Sequence, residues 1–122
     1  MKRLLVIEDD VDIRELVVFK LCQLGFDVRA FDDPRPGLES AVAEPPDLVI
    51  LDLMLPGMSG FDVCRRLREA EATAHVPIVM LTAKAQEADV ERGFAVGATD
   101  YVVKPFSPRE LASRVESILA RG

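Results

Sequence analysis

Apolar runs, each followed by a stretch with helical periodicity, constrain the fold of this 122-residue chain more than any other feature. Four of them are nearly continuous rather than alternating, which is typical of parallel strands covered on both faces. A fifth run alternates more and is predicted to be an edge strand. The predicted strands are Leu4–Ile7, Val28–Phe31 (the edge strand), Leu48–Leu51, Ile78–Leu81 and Tyr101–Val103.

Helix signals lie between these strands. Asp12-Ile-Arg-Glu15 predicts a capping box at the start of the first helix, and Gly25 predicts its end. Ser59 and Ser107 are predicted to cap the third and fifth helices. The apolar residues that define the later helices are Leu38, Ala41 and Val42, then Phe61, Cys64 and Leu67, then Val90 and Phe94 before Gly97, and finally Leu111, Val115, Ile118 and Leu119.

Five repeats of a strand followed by a helix predict a parallel sheet with right-handed crossovers. The predicted fold class is α/β: a flavodoxin-like three-layer (βα)5 sandwich, with a five-stranded parallel sheet of order 2-1-3-4-5. One domain is expected over residues 1–122. In this order the chain reverses direction between strands 1 and 3, and ligands bind outside the carboxyl ends of the strands at such a point.

Composition argues against several classes of protein. A net charge of −6 disfavours a nucleic-acid-binding surface. No apolar run is long enough to span a membrane, and Met1-Lys-Arg leads directly into a strand rather than a signal peptide. Cys22 and Cys64 have no metal-binding spacing and are expected to be reduced thiols in a cytoplasmic protein. His75 is predicted to be a loop residue without a catalytic role.

Polar side chains follow the central strands at their carboxyl ends. They are Glu8, Asp9 and Asp10 after strand 1, Asp52 after strand 3, Thr82 after strand 4, and Lys104 after strand 5. Glu8, Asp9 and Asp52 are expected to meet, and clustered carboxylates repel one another unless a proton or a cation intervenes. Oxygen ligands with room for water favour Mg²⁺, which often completes its shell with phosphate oxygens. These acids therefore predict a divalent-metal site that accepts a phosphoryl group.

Asp52 is predicted to be a nucleophile, because carboxylates can form aspartyl phosphates. The Thr82 hydroxyl and the Lys104 ammonium are predicted to hold the phosphoryl oxygens, where negative charge concentrates during transfer. Asp10 is expected to start the first helix or to lie in the outer shell of the metal site, rather than to bind the metal directly.

These motifs together resemble the response-regulator receiver domains of bacterial two-component signalling, and the closest match is the branch with winged-helix DNA-binding outputs. The resemblance covers essentially the whole chain. Its motifs are Val6-Ile-Glu-Asp-Asp10, Asp52-Leu-Met-Leu-Pro-Gly-Met-Ser-Gly60, Thr82-Ala83 and Tyr101-Val-Val-Lys-Pro-Phe106. It implies a phosphorelay switch for transcription regulation, phosphorylated by a sensor histidine kinase. Such a domain assists its own phosphorylation and dephosphorylation but turns over no free substrate.

The resemblance also implies roles for single residues. Asp52 would be the phosphoacceptor, and it would bind Mg²⁺ or Mn²⁺ together with Glu8, Asp9 and the backbone carbonyl of Met54. Asp9 would bind directly and Glu8 through water. Met54 and Lys84 would also tune the reaction rates.

Three further positions are implied to form the switch. Thr82 would move its hydroxyl onto the phosphoryl group, and Tyr101 would turn inward as Thr82 moves. Lys104 would pair with the phosphoryl group, and the Lys104–Pro105 peptide bond that positions it would be cis.

The surface of helix 4, strand 5 and helix 5 would then be remodelled and bind a partner or a second copy. Asp100 and Arg114 fit one charge pair of the homodimer known in that branch, and Glu110 partly fits another. Val90 and Ala95 fall where that branch commonly has charged residues. The chain is expected to be either a stand-alone regulator or, as its last helix favours, a domain of a longer protein.

Competing functions are less well supported by the sequence. A haloacid-dehalogenase-type phosphatase needs a second Asp two residues after the nucleophile, where this chain has Met54. Neither a Gly-x-Gly-x-x-Gly nor a Walker loop is present, which disfavours nucleotide binding. A receiver-like module that binds protein partners independently of phosphate remains the alternative, although the complete set of site residues argues against it.

Overall fold

A computed structural model describes residues 1–83 and 87–121 of the chain, and in these residues five parallel strands form a single sheet. The order is β2-β1-β3-β4-β5, as predicted. The strands are β1 (Arg3–Ile7), β2 (Asp27–Phe31), β3 (Leu48–Asp52), β4 (Ile78–Thr82) and β5 (Asp100–Val103). The helices are α1 (Val11–Gln23), α2 (Pro34–Ala43), α3 (Gly60–Glu69), α4 (Glu87–Ala95) and α5 (Pro108–Arg121), with a 3₁₀ turn at Glu71–Thr73.

Two apolar layers cover the sheet, because successive strand residues point to opposite faces. Leu5 and Ile7 pack with residues of α2 and α3 on one face, and Leu4 and Val6 pack with α1 and α5 on the other. Each fully buried aliphatic side chain of this kind contributes roughly 1.5–3 kcal/mol of transfer free energy. The predicted three-layer sandwich is confirmed.

The strands β3 and β4 are buried along their whole length, including the polar residue that ends each one. Asp52 ends β3 and is 3% exposed, and Thr82 ends β4 and is 1% exposed. Burial of a carboxylate at the end of an apolar strand is costly unless charge partners compensate it. The carboxyl edge of the sheet therefore holds the polar groups that this fold has to stabilise.

The start of α1 differs from its prediction. Asp10 is the N-cap, with an extended backbone and a side chain that accepts a hydrogen bond from the Ile13 amide at 3.0 Å. The capping box predicted from Asp12 to Glu15 is therefore wrong, because β1 ends early enough for the helix to begin at Val11. The prediction that Asp10 starts this helix is confirmed.

The serine caps and the glycine stop predicted for the helices are placed as expected. The Ser59 and Ser107 hydroxyls accept hydrogen bonds from the amides three residues later, at 3.2 and 3.0 Å. Gly25 follows α1 with a φ of +92°, a left-handed conformation that favours glycine.

Phe94 on α4 is only half-buried, whereas the sequence places it as an anchor of that helix. His75 lies in an exposed turn. No helix in the described part of the chain is long and apolar enough to cross a membrane.

Candidate functional site

The carboxylates that follow β1 and end β3 lie together at the carboxyl edge of the sheet. One carboxylate oxygen from each of Glu8, Asp9 and Asp52 lies within 4.8 Å of the others. Parallel pairing of β1 with β3 aligns Ile7 with Leu51, so that the next residue of each chain segment is a carboxylate. The predicted acidic cluster is therefore formed by the register of the two strands.

The cluster is buried on one side and open on the other. Glu8 is inaccessible to solvent and Asp52 is nearly so, whereas Asp9 is exposed. The Glu8 amide donates to the Phe31 carbonyl at 3.0 Å, and its Oε2 accepts from the Asp10 amide at 3.2 Å. A ligand from solvent would therefore approach past Asp9 and meet the two buried carboxylates behind it.

Lys104 brings a cation to the two buried carboxylates. Its Nζ lies 2.8 Å from Glu8 Oε1 and 3.3 Å from Asp52 Oδ1. The Lys104 amide donates to the Thr82 carbonyl at 2.7 Å, which extends the pairing of β4 with β5 by one residue. The Lys104–Pro105 peptide is cis, as the family resemblance implies. A single ammonium therefore bridges the ends of three strands.

The electrostatics of the cluster are dominated by burial. The pKa of Glu8 is raised from its ordinary value of 4.5 to about 7: burial is the largest cause, the neighbouring Asp52 adds to it, and Lys104 opposes the rise. Burial lowers the pKa of Lys104, but its contact with Glu8 and the charge of Asp52 outweigh that effect, so the net shift is upward. One cation thus faces more negative charge than it can neutralise.

The donor set fits a hard divalent cation. All three side chains offer carboxylate oxygens, which Mg²⁺ prefers, and the exposed side of the cluster leaves room for water. Among the described residues, Glu8 Oε1 receives no well-oriented hydrogen bond despite the nearby ammonium, and so it retains acceptor capacity in a buried position. Buried acceptors of this kind require a partner, and a cation or its bound water would supply one.

Thr82 and Tyr101 occupy the strand ends next to the cluster. β3–β4 pairing aligns Asp52 with Leu81, so Thr82 lies one residue further toward the carboxyl edge. Tyr101 is turned inward and buried, with its ring edge-on to Phe94 at a centroid distance of 5.3 Å. A Cβ added to Gly93 would overlap the Tyr101 hydroxyl, so this glycine creates the space that the ring occupies.

The other predicted residues lie around the rim or elsewhere. Met54 has an exposed side chain, and its amide donates to Asp52 Oδ1 at 3.3 Å. Lys84 lies outside the described residues. Asp100 and Arg114 pair with each other within the chain, at 3.1 and 3.2 Å, and Glu110 is exposed in the first turn of α5.

Sequence reasoning missed two residues that shape the site. A Cβ on Gly60 would lie 2.5 Å from the Asp52 carbonyl oxygen, so a glycine is needed for α3 to begin directly against the end of β3. The Arg14 guanidinium donates to the Glu8 carbonyl at 2.8 Å. Gly60 follows the Ser59 cap immediately, which is a signal for such a close approach, whereas nothing in the spacing of Arg14 predicts its contact.

Comparison with known proteins identifies the family. Residues 4–116 match the family model described as the response regulator receiver domain. The chain belongs to this family. The five-stranded sheet and the acidic cluster described above are therefore those of a receiver domain.

Two curated relatives show how this receiver domain compares in length. It is 48% identical to the DNA-binding response regulator MtrA of Mycobacterium tuberculosis, over 98% of the chain and 51% of that protein. It is 42% identical to the phosphate regulon transcriptional regulatory protein PhoB of Pseudomonas aeruginosa, over 98% of the chain and 52% of that protein. The chain thus spans about half the length of these relatives.

A solved structure provides a comparison for the site. The receiver domain of the sensor histidine kinase PA1611 from Pseudomonas aeruginosa has a magnesium ion coordinated in its active-site cleft. It is 29% identical to this receiver domain, with a TM-score of 0.90 over 98% of each chain. The overall fold of that magnesium-binding protein is therefore closely matched here.

Proposed function

We propose that this receiver domain is a phosphorylation-activated signalling switch in which Asp52 accepts a phosphoryl group from a sensor histidine kinase. The observation that carries the proposal is the convergence of three carboxylate oxygens within 4.8 Å beside the partly buried ammonium of Lys104. A solvated group of surface acids would neither be buried nor share a lysine from a third strand.

Asp52 is the nucleophile in this proposal. A carboxylate oxygen of Asp52 forms the new bond to phosphorus while the bond to the donor histidine nitrogen breaks, which yields an aspartyl phosphate. The Met54 amide holds Oδ1, and the end of a rigid buried strand fixes the carboxylate in position. Lys104 lies close enough to Asp52 to pair with an incoming phosphoryl oxygen.

Glu8, Asp9, Asp52 and the Met54 backbone carbonyl would hold Mg²⁺ or Mn²⁺, Asp9 directly and Glu8 through water. The bound ion supplies positive charge that offsets the repulsion between the carboxylates and the phosphoryl oxygens. Asp10 takes no part in this ligand set, because its side chain caps α1.

The signal would leave the site through Thr82 and Tyr101. The Thr82 hydroxyl moves onto the phosphoryl group, and the inward position of Tyr101 is favoured when Thr82 has moved. Tyr101 packs against Phe94 of α4, so its position alters the surface formed by α4, β5 and α5. Met54 and Lys84 tune the rates of phosphorylation and hydrolysis.

The remodelled surface would control an output domain or a second copy of the chain. Both curated relatives are named as transcriptional or DNA-binding regulators and are about twice as long as this chain. We infer that this domain works in the cytoplasm and regulates transcription through a linked output, without binding nucleic acid itself, since its net charge is −6. A homodimer would use Asp100, Glu110 and Arg114.

The test is the intact mass of the domain after incubation with acetyl phosphate, a small acyl phosphate, in the presence of Mg²⁺. One added phosphoryl group is expected for the wild type, and none for Asp52→Asn or for the wild type without a divalent metal. The absence of an adduct, even with a phosphorylated histidine kinase as donor, would contradict the proposal. A module that binds partners independently of phosphate would then explain the domain better.

A further inference from the structure

Arg14 connects the first helix to the chain segment that carries the two acids after β1. It is the fourth residue of α1 and is half-buried. Its Nη1 donates to the Glu8 carbonyl oxygen at 2.8 Å and lies 3.4 Å from the Asp9 carbonyl oxygen. Both peptide groups that flank Asp9 are therefore held by one guanidinium.

These backbone contacts are the polar contacts that the structure describes for the Arg14 side chain. No carboxylate among residues 1–83 and 90–121 lies within 4.0 Å of its guanidinium, whereas Arg3, Arg29, Arg65 and Arg114 all form ion pairs. The shorter bond is charge-assisted and is therefore among the stronger hydrogen bonds of this loop. Arg14 thus acts on the backbone of the acidic loop rather than on a surface charge.

The orientation of the two carboxylates depends on this backbone. β1–β2 pairing ends at Ile7 and Phe31, and the Glu8 amide adds one more bond, so the Glu8 carbonyl lies just beyond the regular sheet. A rotation of the Glu8–Asp9 peptide would swing Asp9 away from Asp52, and the Asp9 side chain is exposed to solvent. The Arg14 bond opposes that rotation.

We propose that Arg14 is a positioning residue for the metal site, holding the Glu8–Asp9 segment so that both carboxylates face Asp52 before a cation binds. This inference rests on the proposed function of the acidic cluster. Removal of a group that hydrogen-bonds to a metal ligand and orients it typically lowers metal affinity by about 10- to 100-fold. Because Arg14 acts through the backbone, we expect a loss of about tenfold in affinity for Mg²⁺.

The charge of Arg14 alone predicts the opposite change in Mg²⁺ affinity when this residue is replaced. Arg14 is a cation close to a cation site, so its removal would strengthen Mg²⁺ binding if repulsion were its main effect. A weaker affinity in the neutral variant therefore identifies positioning and cannot arise from the lost charge.

The experiment is calorimetric titration of the folded domain with Mg²⁺ alone, for the wild type, Arg14→Ala, Arg14→Lys and Lys20→Ala. Lys20→Ala is the matched control, because it removes one positive charge from the far end of the same helix. Thermal unfolding without metal confirms that each variant is folded at the titration temperature. We expect Arg14→Ala to bind about tenfold more weakly, Arg14→Lys to recover part of the loss, and Lys20→Ala to match the wild type.

Each outcome has a separate meaning. Equal or tighter binding by Arg14→Ala, with normal binding by the wild type, would overturn the positioning role and leave the proposed function intact. If Arg14→Ala does not fold, Arg14→Lys decides: wild-type affinity would overturn the positioning role, and a partial loss of affinity would support it. A wild type that binds no Mg²⁺ would overturn the metal site itself, and the role of Arg14 with it.

Discussion

The Lys104 ammonium lies 2.8 Å from the carboxylate of Glu8, which is inaccessible to solvent. It also lies 3.3 Å from Asp52, so one cation serves two buried acids. Removal of one partner of a buried charge group leaves the others uncompensated, which is strongly destabilising. The carboxyl edge of the sheet is thus poised to accept a further cation or a proton.

The unfolding free energy of the metal-free domain is expected to decrease as the pH rises from about 4.5 to about 7. The pKa of Glu8 is raised from 4.5 to about 7 in the folded domain, so the folded state binds this proton more tightly than the unfolded state does. The resulting stabilisation is complete below the unfolded pKa and is lost as the pH rises through the folded pKa. This contribution of Glu8 to the unfolding free energy is roughly 3 kcal/mol.

Urea unfolding at a series of pH values, with a chelator present, measures this effect. Glu8→Gln is the control, since it keeps the shape of the side chain and removes the titration. The difference in unfolding free energy between the two proteins should change with pH across this window. A constant difference would show that Glu8 titrates in the folded domain as it does in the unfolded chain.

Gly93→Ala is expected to drive Tyr101 out of its buried position. A Cβ at residue 93 would overlap the hydroxyl and the ring of Tyr101, and rotation of the tyrosine side chain would relieve the overlap. Tyr101 is the sole tyrosine, so its absorbance under solvent perturbation reports its exposure directly. Exposure should increase in Gly93→Ala and stay unchanged in Glu91→Ala, an exposed position on the same helix. Equal exposure in all three proteins would contradict the assigned role of Gly93.

Arg68→Lys is expected to destabilise the domain by about 2 kcal/mol or more, although it keeps the charge. The guanidinium donates to the Val76 carbonyl at 2.6 Å and to the Gly97 carbonyl at 3.0 and 2.8 Å, so it joins the segments before β4 and before β5. One ammonium cannot span both segments. Urea unfolding tests this, with Arg66→Lys on the exposed side of α3 as the control. Equal losses in the two variants would argue against the bridging role.

Arg114→Ala is expected to weaken self-association of the phosphorylated domain by up to roughly fivefold, because a partly exposed ion pair contributes up to about 1 kcal/mol. Arg114 pairs with Asp100 within the chain, and both side chains are partly exposed, so they can exchange partners across a symmetric contact. Sedimentation velocity with and without acetyl phosphate measures the change, with Arg66→Ala as the control. A phosphorylated wild type that stays monomeric at every concentration would remove the dimer from the proposal.

The strand order and the convergence of Glu8, Asp52 and Lys104 could be predicted because both depend on local patterns. Continuous apolar runs identify buried parallel strands, and the carboxyl ends of such strands meet at one edge. This pattern alone predicts that Asp52, Thr82 and Lys104 lie at the same edge of the sheet. The sequence offers two starts for α1 because Asp10 and Asp12 are both good caps, and only the end of β1 decides in favour of Asp10.

Contacts between distant segments could not be predicted from the sequence. Gly93 makes space for Tyr101, and Arg14 reaches back to Glu8, but neither pair shows a spacing that reveals it. Phe94 has helical spacing from Val90, and the pattern does not show that its ring ends half-exposed against Tyr101. Such features depend on how completed elements pack together.

The most direct measurement is chemical trapping of the phosphorylated residue. Borohydride reduces an aspartyl phosphate to homoserine, so reduction after incubation with acetyl phosphate and Mg²⁺, followed by peptide mass mapping, locates the acceptor. The phosphoacceptor assignment predicts homoserine at position 52 and at no other carboxylate. Homoserine at Asp9 or Asp10, or an unmodified Asp52 in a domain that has gained a phosphoryl group, would contradict it.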